Sequence, residues 1–226
     1  MAIIFWDFDG TIVHSNHLWS GSVYRSLKEA DENTKVNFND IRKCMASGFT
    51  WHTPNEDYSS FTHVKWWDFM NNKILNDYIS LGVKESVAKA ASQKVRSTIK
   101  EVSNYELYPD SVETLKAAIK KGHKNVILSN NYPDLIDVIK ALNLHKYFDN
   151  FVVSAVVGYD KPRSEIFKIA KSLYPNDTEF IMIGDSVNAD IIGGDNAGMK
   201  TILVHNGQDS NADYCFDNLK SILEVI

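Results

Sequence analysis

From residue 109 onward the chain alternates between short apolar runs and segments of helical period, and this alternation constrains the fold more than any other feature. Residues 124–129 (with Val126, Ile127 and Leu128), 151–155, 179–184 and 201–204 read as strands. Residues 109–121 place Val112, Leu115, Ala118 and Ile119 on one helix face that opens near Asp110 and closes at Gly122. Residues 133–142, 163–173, 188–197 and 218–225 read as further helices. One more strand, residues 3–7, opens the chain and runs into an Asp-Gly turn. Strands alternating with helices make βαβ units, which require a parallel sheet with right-handed crossovers. The expectation is an α/β protein with a three-layer α/β/α core.

The stretch from about residue 14 to 101 breaks the alternation. It is polar, rich in Asn, Ser, Trp and Lys, and its apolar residues (Ile74, Tyr78, Ile79, Leu81) follow a helical spacing. So long a connection inside a compact domain is usually a structured insertion, often a lid. The expected division is a core domain formed by residues 1–14 and 102–226, with an all-α domain, residues 15–101, inserted after the first strand.

Composition narrows the class of partner. The 226 residues, 44% of them hydrophobic, suffice for one sizeable core carrying a smaller insert. Twenty-four basic against twenty-nine acidic residues leave a net charge of −5, no counter-charge for nucleic acid or an anionic membrane. Cys44 and Cys215 form no CxxC and read as reduced thiols. No basic leader precedes Asp7, and no apolar run is long enough to span a bilayer. A cytoplasmic monomer or small homo-oligomer acting on a small molecule is expected, with neither nucleic acid nor membrane as partner.

In an open parallel sheet, ligands sit beyond the carboxyl ends of the strands. There the sequence places Asp7-Phe8-Asp9-Gly10-Thr11, then Ser129-Asn130-Asn131, then Asp160-Lys161-Pro162, then Gly184-Asp185-Ser186 with Asp190 following. Each fragment alone reads as turn or capping chemistry. Together they bring carboxylates, a hydroxyl and a cation to one edge. Asp7, Asp9 and Asp185 would repel one another without a cation among them, and hard oxygen ligands suit Mg²⁺. Ser129 and Lys161 would face an anion from the other side, joined by backbone N–H groups around residues 8–10 and at Asn130. Metal, lysine and hydroxyl describe a phosphate site. A carboxylate at the strand tip can attack phosphorus, while a second one two residues on handles the proton.

These four ordered motifs resemble those of the haloacid dehalogenase-like hydrolase superfamily, with Tyr108-Pro109-Asp110 and Asn196-Ala197-Gly198-Met199 fitting as well. The insert resembles the helical cap of the phosphatase-type subfamily that includes phosphoglycolate phosphatase and β-phosphoglucomutase. The resemblance implies a Rossmann-like core and Mg²⁺ as cofactor. It implies that Asp7 is the nucleophile forming an aspartyl-phosphate, and that Asp9 is the general acid/base and lends its backbone carbonyl to the metal. Lys161 would orient Asp7 and, with Ser129, Asn130, Gly10 and Thr11, hold the phosphate. Asp185 and Asp190 would complete the metal site with Asp7 and Asp9. Dehalogenases of this type lack the acid/base two residues after the nucleophile, so Asp9 disfavours dehalogenation. Asp195 departs from the family's usual small residue there and reads as an acid on an exposed helix face.

Four of the five tryptophans (Trp19, Trp51, Trp66, Trp67) lie in the insert, where they read as its core or its seam with the sheet domain rather than a stacking surface. Asn16 and His17, just past the first motif, are the nearest candidates for touching a leaving group. A Mg²⁺-dependent phosphomonoester hydrolase of a small metabolite leads; a phosphomutase of the same architecture and a non-catalytic phosphate-binding or regulatory protein remain alternatives.

Overall fold

The computed structural model describes all residues except Asn16, Thr62, Thr178 and Ser210. The sheet contains β1 (Ile3–Trp6), β4 (Lys124–Ser129), β5 (Asn150–Val153), β6 (Phe180–Gly184), β7 (Lys200–Val204) and β8 (Tyr214–Phe216). Their order is β5-β4-β1-β6-β7-β8, and every pairing is parallel. Two short strands, β2 (Val13–His14) and β3 (Glu106–Leu107), pair antiparallel outside it. The sheet is flanked by α5 (Ser111–Lys120), α6 (Leu135–Ala141), α7 (Ser154–Val157) and α8 (Ser164–Ser172), while the segment between β2 and β3 holds α1 (Leu18–Ala30), α2 (Phe38–Cys44), α3 (His63–Ser80) and α4 (Glu85–Ile99). This is the expected Rossmann-like parallel α/β core.

Alternate side chains of β1 point to opposite faces, as the pleat requires. Ile3 and Phe5 pack with Ile166, Phe167 and Ala170 of α8, whereas Ile4 and Trp6 join a larger cluster with Leu115, Leu135 and Ile139. Covered on both faces, β1 is buried along its whole length and carries no polar residue. The larger cluster continues through Phe8, Ile12 and Val13 into Val23, Trp66, Ile74 and Tyr78 of the helical segment. The two chain crossings into that segment lie side by side, Val13 opposite Leu107 and His14 opposite Glu106.

Three expected elements differ. The 151–155 strand stops at Val153, and Ser154 begins α7. The helix expected over 188–197 opens as a π-helical turn, Val187–Ile192, before the short α9 (Gly193–Asn196). The expected last helix is a 3₁₀ segment, Lys220–Glu224; its buried Ile222 lies three residues after the buried Leu219 that precedes it, matching three residues per turn. The edge strand β8 went unread because three half-exposed residues carry too little period.

Besides the shared apolar cluster, polar contacts join the helical segment to the sheet domain on two sides. Asp134, 5% exposed at the start of α6, accepts from Trp67 Nε1 (2.7 Å), from Arg96 Nε and Nη2 (both 2.9 Å), and faces His63 Nε2 at 2.7 Å. On the other side Arg163 Nη1 donates to the Asn55 and Glu56 carbonyls (3.3 and 2.8 Å). Here a Cβ on Gly158 would lie 2.3 Å from Ser59 Cα, so only glycine allows the approach. Trp66 and Trp67 are buried, and the Trp19 ring touches Trp51, Trp66, Trp67 and Tyr132 at 6.0–6.3 Å. Trp19 and Trp67 therefore lie at the seam, and Trp51 and Trp66 pack behind them within the helical segment.

Burial raises the Asp134 pKa, but hydrogen bonds from Arg96 and His63 outweigh it and hold the carboxyl below its ordinary value. A depressed acid contributes stability above its unfolded pKa and loses it as pH falls through the folded value. Asp134→Asn should therefore cost about 1–3 kcal/mol at pH 7, the range for a lost charge-assisted hydrogen bond. The difference from the unaltered chain should shrink as pH falls below about 4. Urea unfolding at both pH values checks this; a difference that grows towards acid pH would contradict it.

Candidate active site

The carboxyl ends of β1, β4 and β6 lie level, because Trp6 is in register with Ile127 on one side and Ile183 on the other. Asp7 therefore stands level with Leu128 and Gly184, one residue before Ser129 and Asp185, so that all three leave the sheet at the same edge. The Asp7 N–H donates to the Ile183 carbonyl (2.9 Å), continuing the ladder one step beyond the strand and fixing the Asp7 backbone.

Three carboxylates gather here: oxygens of Asp7, Asp185 and Asp190 all lie within 4.8 Å of one another. Lys161, its side chain 1% exposed, reaches between two of them, 3.2 Å from Asp7 Oδ1 and 2.5 Å from Asp190 Oδ1. Burial lowers the ammonium's pKa, but Asp190 and Asp7 raise it further, and the net direction is upward. Asp190 is wholly buried on the π-helical turn, with its Oδ2 accepting from the Ser186 N–H at 3.0 Å. A Cβ on Gly184 would stand 2.1 Å from that oxygen, so the residue before Asp185 has to be glycine. Asp185 is pushed up to about 6 by burial and by the Asp7 charge.

Asp9 is placed apart. Its Oδ2 accepts from Asn131 Nδ2 (2.7 Å) and its Oδ1 from Ser15 Oγ (3.4 Å). Burial pushes it up to about 7 against the lowering effect of the Asn131 bond, with Asp7 adding to the rise. Its side chain is not among the clustered carboxylates, so only the backbone carbonyl expected of Asp9 would serve a metal.

Ser129 is buried with a hydroxyl that has no protein partner among the described residues. A buried, unpartnered hydroxyl carries a desolvation cost unless something else occupies it, and an anion's oxygen would do so. Asn130, expected to offer its backbone N–H to the anion, uses its side chain on the neighbouring loop. Its amide clamps the Lys161 backbone, Nδ2 donating to the carbonyl (2.9 Å) and Oδ1 accepting from the N–H (2.7 Å). Gly10 and Thr11 likewise serve the turn. The Gly10 N–H donates to the Val13 carbonyl (2.7 Å), and Thr11 Oγ1 donates to Asp185 Oδ1 (3.4 Å). Gly10 has φ +81°, and a Cβ there would lie 2.3 Å from Asp185 Oδ2.

His17 takes a left-handed conformation before α1, with its ring edge-on to Phe38 at 5.3 Å, exposed and engaged within the helical segment. Asn16 lies outside the described residues. Asp195 is exposed, as expected. Asn131, the residue on Asp9, was not singled out from sequence; an Asn-Asn pair gives no signal of which amide faces which way.

The acid-lined edge of a parallel sheet, crossed by a buried lysine, defines a hydrolase of the haloacid dehalogenase type. The model of the haloacid dehalogenase-like hydrolases matches residues 1–198, and the chain belongs to that family. Among its relatives, the pyrimidine 5'-nucleotidase YjjG of Escherichia coli (strain K12) is 30% identical over 154 residues, 65% of this chain and 68% of that protein. The glyceraldehyde 3-phosphate phosphatase of Pyrococcus furiosus is 32% identical over 128 residues, and the match spans 52% of this chain and about half (53%) of that relative. Among solved structures, the HAD-hydrolase YfnB from Bacillus subtilis bound to magnesium superposes with a TM-score of 0.74 at 19% identity, covering 99% of this chain and 97% of that one. At that identity the likeness is one of fold.

Proposed function

We propose that this chain is a Mg²⁺-dependent hydrolase of phosphate monoesters of small metabolites, working through an aspartyl-phosphate on Asp7. One observation carries the reading: the acids divide into a cluster of Asp7, Asp185 and Asp190 and a separate Asp9 held on an amide. A binding site needs the first group; only a reaction that moves a proton needs the second. The phosphatases among the relatives support the same class of reaction.

The donor set fits Mg²⁺. Asp7 and Asp185 offer hard oxygens, Asp7 Oδ1 is buried with the Lys161 ammonium 3.2 Å away as its ionic neighbour, and among the described residues no imidazole or thiolate belongs to the cluster. The ion would be held by Asp7 and Asp185 beside Asp190, and would supply positive charge against the phosphate oxygens. Lys161 adds a fixed cation next to Asp7, and the Ser129 hydroxyl donates to a phosphate oxygen, so that an anionic nucleophile meets an anionic ester. An Asp7 oxygen attacks phosphorus as the bond to the leaving oxygen breaks, and Asp9 gives that oxygen its proton. Water then attacks the aspartyl-phosphate, its proton passing to Asp9, which frees phosphate and restores the Asp7 carboxylate. Residues 15–101 would act as a cap over this edge, choosing the ester by its alcohol portion while the sheet domain handles the phosphoryl group.

Phosphate release from p-nitrophenyl phosphate, with and without Mg²⁺, tests the reading. Activity should require the ion. Asp185→Ala should weaken Mg²⁺ binding, followed by calorimetry, by more than about 100-fold, beyond what outer-sphere partners contribute. Metal-independent release, or unchanged Mg²⁺ affinity in Asp185→Ala, would contradict it.

A further inference from the structure

Asn131 was itself expected to hold neither phosphate nor metal, yet it is 4% exposed and bonded at every polar atom. Its Oδ1 accepts from the Tyr132 N–H (2.9 Å), and its own N–H donates to Ser154 Oγ (3.1 Å), at the first residue of α7. The Ala155 N–H in turn donates to the Asn131 carbonyl (3.3 Å). These contacts decide which way the amide faces. A backbone N–H can only donate, so the carbonyl end must lie on Tyr132, and the NH₂ end is the one presented to Asp9 at 2.7 Å.

An NH₂ group can only donate, and it therefore engages Asp9 Oδ2 as an acceptor. A proton carried by Asp9 then resides on Oδ1, the oxygen that, among the described residues, only the long 3.4 Å contact from Ser15 shares. Asn131 also resists another placement. With Asp7 two residues away and Asp185 nearby, an untethered Asp9 carboxylate would be free to swing into the cation site. The scaffold behind the amide is rigid: Ser129 ends a strand buried from Asn125 onward, and Ser154 is 2% exposed.

We propose that Asn131 is a positioning residue for the proton transfer to the leaving group, fixing both where the Asp9 carboxyl lies and which of its oxygens delivers the proton. The inference rests on the phosphomonoesterase reading above. In the step it serves, the phosphorus–oxygen bond to the leaving group breaks, Asp7 takes the phosphoryl group, and the departing oxygen receives its proton from Asp9 Oδ1. The more basic the leaving oxygen, the more the step depends on that delivery.

The experiment compares kcat/KM for phenyl phosphate, a basic leaving group, and 2,4-dinitrophenyl phosphate, a weakly basic one, in the unaltered chain and in Asn131→Ala. Because kcat/KM reports the step in which the leaving group departs, later hydrolysis of the aspartyl-phosphate does not mask the effect. Phenyl phosphate should lose about 100-fold and the dinitrophenyl ester less than about 5-fold, since general acid catalysis of this kind contributes 10²-fold or more where a proton is needed. Inhibition by inorganic phosphate, which reads Ser129 and Lys161, should stay unchanged. Ser154→Ala, which loosens Asn131 without removing it, should show the same asymmetry at smaller amplitude and serves if Asn131→Ala does not fold. Equal losses on both esters, or no loss on either, would overturn the role of Asn131 while leaving the phosphatase reading intact. An unaltered chain that hydrolyses neither ester would overturn both.

Discussion

Asp7→Asn should abolish turnover while leaving the fold in place. The amide keeps the shape of the carboxylate but has no anionic oxygen to offer phosphorus, so the loss should reach about 10⁴- to 10⁶-fold, the scale seen when a covalent nucleophile is removed. The fold does not depend on that charge. Asp7 is anchored by its N–H on the Ile183 carbonyl, and its side chain is 14% exposed. Replacing it removes one partner of Lys161 and also one of three crowded acids, effects of opposite sign. The melting temperature should therefore move by only a few degrees, as expected for a change within about 1 kcal/mol. Circular dichroism and the phosphate-release assay check the two halves; residual activity above one part in about a thousand would remove Asp7 as nucleophile.

Lys161→Met should cost stability as well as activity. Lys161 is the cation that makes Asp190 tolerable, the two groups being 1% and 0% exposed and 2.5 Å apart. Taking one partner from a buried pair leaves an uncompensated charge, at a cost of about 3–5 kcal/mol. Burial already raises the Asp190 pKa and Lys161 lowers it, so without the lysine the acid takes up a proton and the loss falls toward the lower end of that range. Lys161→Met combined with Asp190→Asn should recover at least half of the lost stability, because the amide still accepts from the Ser186 N–H without a charge. The pair should stay inactive, since the phosphate then lacks its cation. Denaturant unfolding of the three chains decides it; a single variant as stable as the unaltered chain would show that Asp190 is not held by Lys161.

The positions of the strand tips were legible in the sequence because apolar runs flanked by Asp-Gly, Ser-Asn and Gly-Asp fix both a strand and its end. Asp7, Ser129 and Asp185 could be gathered from that, while Lys161 and Asp190 lie farther along, past α7 and on the turn that follows Asp185. Which way neighbouring side chains turn was not legible. Successive residues leaving β4 diverge, so Asn130 clamps the Lys161 backbone while Asn131 holds Asp9, a division no property of an Asn-Asn pair reveals. The Asp134 clasp was hidden for another reason: Trp67, Arg96 and His63 meet it across more than thirty positions of chain, and each alone reads as an ordinary core or surface residue. The π-helical turn over Val187–Ile192 shares the apolar spacing of a helix, and only the need to seat Asp190 beneath Lys161 distinguishes it.

In the proposed reaction every phosphoryl group passes through Asp7. Rapid acid quench during turnover of an aryl phosphate, followed by borohydride reduction and peptide mass spectrometry, reads it directly. One phosphoryl group per chain is expected at the quench, with residue 7, alone among the aspartates, converted to homoserine. Phosphate release at full rate with residue 7 unmodified, or modification at another acid, would contradict it.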